Sequence, residues 1–340
     1  MTSWRSGKRG RCTMMKNDDF NVREETQSIW RAIHGLGTDE EAIIQIVSSC
    51  NNAQRQEIKK EFTVLYQKDL IKEFKSELKI RFSPDFKQLL LALFQRPLVY
   101  DAVCLKGATK GLGTDERCLV EILLTRTAAE MQGIREEYSR KFKLSLEDDV
   151  ADDTSGDFRK FTYTLSRGKR SPSSSVDADK ARNVASQIYS TYTELRGTDQ
   201  PRFDFIGLCC CEGFPQLRKI FEAYKEVTKS DINAFIEREF SGDVEEGLKW
   251  TVKCANSIPE FFAELLHKSM EGITTKHDIL TRIVVSRSEI DLADIREIYE
   301  KKYGKSLINK VKSHATGGYK KLLVAIIQGN GEKDNQQITH

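Results

Sequence analysis

Gly35-Leu36-Gly37-Thr38-Asp39 recurs 76 residues later as Gly111-Leu112-Gly113-Thr114-Asp115. A shorter Gly197-Thr198-Asp199 follows, and a degraded Gly272-Ile273-Thr274-Thr275-Lys276 lies near the C-terminus. Glycine-rich loops of this kind suit a few chemistries. A dinucleotide fingerprint needs a third glycine and a preceding strand, and neither is present. A phosphate-cradling P-loop needs Gly-Lys-Ser/Thr at its end, which is missing. A tight turn, in which glycine only relieves sterics, is the remaining simple reading. A second spacing argues for more than a turn. Glu77, Asp153 and Glu239 each lie 42 residues after the glycines Gly35, Gly111 and Gly197. Glycines let successive carbonyls turn toward one centre, and a distant carboxylate can close the shell. That donor set suits Ca²⁺, which takes roughly 6–8 oxygens and accepts backbone carbonyls with a bidentate acid. Positions left open on such a surface loop would go to water or to a lipid phosphate.

The elements that must position these groups repeat with them. Ile58…Phe62, Ile134…Tyr138, Ile220…Tyr224 and Ile295…Tyr299 are apolar–aromatic pairs at i, i+4, offset by 76, 86 and 75 residues. Two markers moving together define four repeats of about 75 residues, with about ten extra residues between the second and third. The insertion carries Arg167-Gly168-Lys169-Arg170-Ser171-Pro172-Ser173-Ser174-Ser175, expected as an exposed linker. After Thr38, the residues Ala42, Ile43, Ile46, Val47 and Cys50 fall on one helical face. Thr38 and Glu41 have capping-box spacing, which predicts Thr38 as the helix cap. Pro201 falls in a first turn, where its missing N–H does no harm. Strand-like alternation is absent, so the class is all-α, with several short helices per repeat. The expected layout is a tail over 1–19, repeats over 20–94, 95–167, 180–255 and 256–330, a linker over 168–179 and a C-terminal tail over 331–340.

Composition excludes several classes. Hydrophobic residues make up 39% of the 340 residues and charged residues 31%, enough to build a core. The first sixteen residues hold five basic side chains and no acid; the remainder carries 49 basic and 51 acidic groups, net −2. A body of that charge is not a nucleic-acid-binding domain. The longest apolar runs, Leu89–Phe94 and Leu322–Ile327, fall far short of the ~20 residues of a membrane span. No apolar signal segment follows the basic N-terminus, so a cytoplasmic protein, peripheral to membranes, is expected. Eight cysteines without a C-x-x-C pair fit reduced, packed thiols, and the Cys209–Cys211 run lies in an apolar helix.

The four repeats, their Gly-x-Gly-Thr-Asp loops and the acid 42 residues on resemble the annexins, over about residues 20–330. Further stretches agree: Asn52-Ala53-Gln54-Arg55-Gln56-Glu57-Ile58, Ser145-Leu146-Glu147-Asp148-Asp149-Val150, Asp153-Thr154-Ser155-Gly156 and Val285-Ser286-Arg287-Ser288-Glu289-Ile290-Asp291. The resemblance implies five helices per repeat and a curved disc with Ca²⁺ loops on its convex face and the N-terminal tail on its concave side. It implies one site from the carbonyls of Ile33, Gly35 and Gly37 with Glu77, and a second from Thr109, Gly111 and Gly113 with Asp153. Thr38 with Glu40 would form a weaker secondary site. Leu36 and Leu112 would dip into the headgroup zone, and Lys110 and His34 would face lipid phosphates. The third loop, Glu194-Leu195-Arg196-Gly197, is one residue short and lacks a bulky aromatic at its tip. Arg196, Gly197 and Glu239 are kept as a candidate site. In the fourth repeat Thr274 replaces the second glycine, Lys276 the aspartate, and His314 the distant acid, so that site reads as lost.

Asp101, Arg126 and Arg282 match annexin positions that carry buried ion pairs in a central polar passage. Their role is expected to be orientation of the repeats. Cys104 stands where an acid is usual. Asp148, Asp149, Asp152 and Asp157 have the wrong spacing for an EF-hand and are expected as solvated or capping residues. The basic tail is expected to bind a protein partner or anionic lipid, to carry modification at Thr2 and Ser3, or simply to be an unordered terminus. The function expected is Ca²⁺-dependent peripheral binding to anionic phospholipid, with self-association on membranes as a further expectation. A helical scaffold acting through protein partners or self-association is the alternative. A lipid hydrolase would need a nucleophile and base, and no such signature appears.

Overall fold

The structure is a computed structural model that describes residues 10–35, 38–81, 83–111, 113–194, 200–272 and 274–331. The side chains of residues 77–81, 193, 194, 200, 201 and 203 fall outside that description. Among the described residues there are helices and no strands.

The helices fall into four groups of five. The first repeat holds α1 (Val22–His34), α2 (Glu40–Ser49), α3 (Asn52–Tyr66), α4 (Leu70–Arg81) and α5 (Pro84–Leu93). The second holds α6 (Pro97–Ala108), α7 (Glu116–Thr125), α8 (Ala128–Phe142), α9 (Leu146–Asp153) and α10 (Gly156–Ser166). The third holds α11 (Ala178–Glu194), α12 (Gln200–Cys211), α13 (Phe214–Thr228), α14 (Ile232–Glu239) and α15 (Asp243–Asn256). The fourth holds α16 (Ile258–Ser269), α17 (His277–Arg287), α18 (Leu292–Tyr303), α19 (Leu307–His314) and α20 (Gly317–Gln328).

These groups form two compact units. One is Met1–Pro97 with Phe262–His340, the other Leu98–Phe261, so the division falls inside α16. In the first unit α2 packs on α20 and α5 on α17, which makes one core of repeats one and four. In the second, α10 packs on α12 and α7 on α15, joining repeats two and three. The close approach of α10 and α15 needs Gly247, where a β-carbon would sit 2.6 Å from the Phe161 ring.

The periodic pairs lie on the third helix of each repeat and are buried: Ile58 and Phe62, Ile134 and Tyr138, Ile220 and Tyr224, Ile295 and Tyr299. Burying each such side chain contributes about 1.5–3 kcal/mol. The second helices are capped by Asp39, which accepts from the Ala42 N–H at 3.0 Å, and by Asp115, which accepts from Cys118 at 3.0 Å. The predicted cap, Thr38, is displaced by one residue. The Asp39 carboxylate accepts from the N3 amide, the bond that fixes an N-cap.

Two further expectations change. The linker is not simply exposed, because Arg170 is buried and donates to the carbonyls of Glu212 (2.7 Å) and Cys209 (2.9 Å). Its guanidinium lies 4.1 Å from the Phe214 ring centroid, and these bonds satisfy it where no carboxylate does. The described part of the tail, from residue 10, is held against repeat four. Thr13 and Met14 N–H groups donate to the Ser288 carbonyl (2.8 and 3.0 Å), Arg11 pairs with Asp294 and Glu297, and Met14 is buried. Asn330 brackets Met15 with two 2.7 Å bonds. The tail thus straps the first unit along repeat four.

Each third helix ends in a left-handed residue at the same register: Gln67, Lys143, Lys229 and Gly304, with φ of 54°, 59°, 59° and 65°. Only the fourth repeat uses glycine there. A side chain in this region costs roughly 1–2 kcal/mol. Lys229→Gly should therefore stabilise the protein by about 0.5–1 kcal/mol, and Gly304→Lys should destabilise it similarly. Urea unfolding midpoints of the two variants check this, and equal midpoints would contradict it.

Candidate functional site

Site two is the better described of the two main candidates. The loop after α6 turns through Gly111 (φ 115°) and Gly113 (φ 107°), angles that a β-carbon would strain. It closes when the Asp115 N–H donates to the Ala108 carbonyl at 2.9 Å. Thr109, at the loop's entry, keeps its N–H on the Leu105 carbonyl at 3.2 Å, and Lys110 is exposed. The Thr114 hydroxyl lies 2.7 Å from the Asp153 carboxylate and 2.9 Å from its backbone oxygen. That contact brings the distant acid to the loop.

Asp153 is the last residue of α9, where the helix dipole disfavours a negative charge by about 0.3–1 kcal/mol. A cation at the loop would relieve that cost. Below it lies a brace. Asp149 accepts from Lys106 Nζ at 2.6 Å and from the Tyr138 hydroxyl at 2.5 Å. Burial and the Asp149 bond both push the Tyr138 pKa up, so the phenol stays protonated and donates. Lys106 is three residues before Thr109 and Asp149 four before Asp153, so the brace fixes both halves of the site.

The equivalent acid in repeat one is Glu73, four before Glu77. It accepts from Lys68 at 3.2 Å and lies 3.0 Å from His34 Nε2. His34 Nδ1 is 3.2 Å from the Trp30 carbonyl, and its ring stacks on Trp30 at 3.8 Å. Both ring nitrogens are thus held by the protein rather than turned to lipid phosphate. The loop closes as in site two, with Asp39 N–H on the Ala32 carbonyl at 2.8 Å. The Gly35 N–H is held on the Arg31 carbonyl, and Ile33 is buried. Leu36, Gly37 and the Glu77 side chain lie outside the described residues, as does Leu112 of site two. The Glu40 carboxylate, expected to serve a secondary site, lies against Gly318, where a β-carbon would be 2.4 Å from it.

In repeat three, Arg196 and Gly197 lie outside the described residues. Glu239 is described and is paired with its neighbour Arg238 at 2.6 Å. The brace position is Phe235, edge-on to Tyr192 at 4.6 Å. In repeat four it is Lys310, whose carbonyl lies 2.9 Å from His314 Nδ1. The loop there still closes, Lys276 N–H to Ser269 carbonyl at 2.8 Å, and Gly272 keeps a φ of 89°. The fourth loop therefore keeps its closing bond and its left-handed first glycine without the acid. Among the four repeats a brace carboxylate occurs only in the first two. The sequence signal was present in Glu73/Glu77 and Asp149/Asp153 at i, i+4, and reading only the 42-residue spacing missed it.

Among the described residues no three His, Cys, Asp or Glu side chains converge as a metal cluster. A carbonyl loop with one carboxylate would not form such a group. At site two the turned glycines and the carboxylate set against the loop suit a hard cation such as Ca²⁺, which Thr109, Gly111, Gly113 and Asp153 would hold.

The profile of the annexin family matches four times, over residues 25–93, 100–165, 188–249 and 261–326. The chain belongs to the annexin family. It is 41% identical to human annexin A11 over 324 residues, covering 95% of this chain but only 63% of that relative's length. The solved structure of annexin III superposes with a TM-score of 0.90 at 40% identity, over 97% of this chain and 99% of that one. A calcium-bound annexin (Sm)1 superposes with a TM-score of 0.82 at 30% identity, over 94% of each chain.

Other candidates of this annexin have plain structural roles. Asp149 and Asp157, expected as solvated or capping, are ion-pair acceptors, Asp157 receiving Arg202 Nε at 2.9 Å. Cys209 and Cys210 are buried, which pushes both thiols up, Cys209 to about 12. Such thiols are core packing, not nucleophiles. Arg126 donates to both Asp101 oxygens (2.7 and 2.8 Å), and both residues are buried. Burial alone would lower the Arg126 pKa, but Asp101 more than reverses it. Arg282 is buried within the other unit, and Cys104 is half-buried. Asp101→Leu should cost about 3–5 kcal/mol by stranding Arg126, while Asp101→Leu with Arg126→Met should recover most of it. Urea unfolding of the pair of variants checks this; a double variant no better than the single would contradict it.

Proposed function

We propose that this chain is a Ca²⁺-dependent peripheral binder of anionic phospholipid, acting mainly through repeats one and two, and not an enzyme. The observation that carries the reading is the contact between Thr114 and Asp153, which sets a lone carboxylate against a glycine-turned loop. The calcium-bound state of the related annexin (Sm)1 supports it. Ca²⁺ bound there would bridge loop oxygens to a lipid phosphate oxygen. Thr109, Gly111, Gly113 and Asp153 would hold it at site two, and Ile33, Gly35, Gly37 and Glu77 at site one, with Thr38 and Glu40 as the weaker accessory set. Leu112 and Leu36 would enter the headgroup zone, and the exposed Lys110 would meet phosphate. Among the described residues no helix is long and apolar enough to cross a membrane, which suits binding from the surface.

The brace makes Asp149 a positioning residue: it touches no proposed ligand position but sets the distance between α6 and α9. Asp153→Asn and Glu77→Gln should each raise the Ca²⁺ needed for half-maximal sedimentation with phosphatidylserine vesicles by about tenfold, and together nearly abolish binding. Asp149→Asn, which keeps every ligand, should raise it about threefold without changing the extent of binding at saturating Ca²⁺. A double ligand variant with unaltered Ca²⁺ dependence would move the sites elsewhere.

A further inference from the structure

The fifth helix of each repeat starts beside an acid, but in repeat four the acid is borrowed. Asp85, Asp157 and Asp243 stand in the first turns of α5, α10 and α15. The first turn of α20 has no acid, and its cap residue, Thr316, makes no side-chain capping bond. Gly318 stands at the register of Asp157 and Asp243. Each of the three follows a left-handed glycine: Gly317, Gly156 and Gly242, with φ of 56°, 56° and 69°. At that point α2 supplies what α20 lacks. A β-carbon on Gly318 would lie within 2.6 Å of the carboxyl carbon and both oxygens of Glu40. The half-buried Glu40 carboxylate thus fills the space of the missing side chain. Glu40 is also in the first turn of α2, so its charge is favoured by two helix starts at once. Beside it, Lys321 Nζ donates to Glu41 at 2.7 Å. Both members of that pair are more than half exposed, and such pairs contribute little. Glu40 is therefore the stronger charged tie between α2 and α20, which pack together in the core of repeats one and four.

We infer that Glu40 is a shared acid: it latches α20 in the metal-free protein and must leave Gly318 before it can complete the accessory Ca²⁺ set with Thr38. The inference rests on the Ca²⁺ reading above. Bidentate closure of a Ca²⁺ shell takes both carboxylate oxygens, and both lie in the gap at Gly318. Ca²⁺ at the accessory set and the tie between α2 and α20 are then negatively coupled. By reciprocity, whatever frees Glu40 tightens the accessory set. The main sites draw on Glu77 and Asp153 and stand outside this coupling.

The test uses the full chain without membranes, with Glu40→Gln, Gly318→Asp and the two combined. Gly318 is helical and the nearest atoms to its missing β-carbon are the flexible end of Glu40, so an aspartate there gives α20 its own acid and repels Glu40. Urea unfolding in chelator reads the latch. Glu40→Gln should lower the midpoint by about 0.2–0.5 M, and adding Gly318→Asp should restore it. Isothermal titration with Ca²⁺ reads the accessory set. Gly318→Asp should tighten the weakest Ca²⁺ event about threefold and leave the stronger events unchanged. The combined variant should lose that weak event, because Glu40 supplies it. A wild-type midpoint in Glu40→Gln overturns the latch. A weak event unaltered by Gly318→Asp, or retained in the combined variant, overturns the coupling while the stronger events keep the Ca²⁺ reading intact. Absence of every Ca²⁺ event in wild type and variants overturns the Ca²⁺ reading and the coupling with it.

Discussion

A carbonyl-based cation site depends on holding two stretches of chain about forty residues apart at a fixed distance, and in the second repeat that distance is set by carboxylates. Asp153 would be an ordinary acid at a helix end without the Thr114 hydroxyl against it. Asp149, one turn earlier on α9, ties that helix to Lys106 on α6 and Tyr138 on α8. The Thr114 and Lys106 contacts span 39 and 43 residues, so they need the packed repeat, whereas Tyr138 lies only 11 residues from Asp149. The cost is an acidic helix, α9, whose negative charge crowds its own C-terminal dipole.

The fourth repeat shows what the loop does on its own. Its closing bond, Lys276 to Ser269, and its left-handed Gly272 match those of the second repeat, yet His314 and Lys310 stand where acids stand in repeat two. The closing bond and the left-handed glycine thus belong to the helix-to-helix connection and persist without the acid. Ligand capacity is a separate layer carried by two acids one turn apart. A neutral or positive side chain at the end of α19 also suits that helix's dipole better than an acid would. Repeats one and two carry the electrostatic cost at their fourth helices, and repeat four does not.

Much of this was legible in residue spacing. The Ile–aromatic pairs at i, i+4 located the third helices and all eight residues are buried. The Gly-x-Gly loops located the connections, the all-α class followed from helical periodicity without strand-like alternation, and the five helices per repeat followed from the family likeness. What was not legible has a common cause, which is that several local motifs compete for the same side chain. Thr38 and Glu41 read as a capping box, but Asp39 takes the cap. Gln67, Lys143 and Lys229 carry no turn signature because the left-handed cap is imposed by the packed third helix rather than chosen by a glycine. Arg170 looked like part of a polar linker because one dimension of sequence cannot show two backbone carbonyls waiting across the fold. The tail's order likewise depends on Ser288 and Asn330, some 275 and 315 residues away.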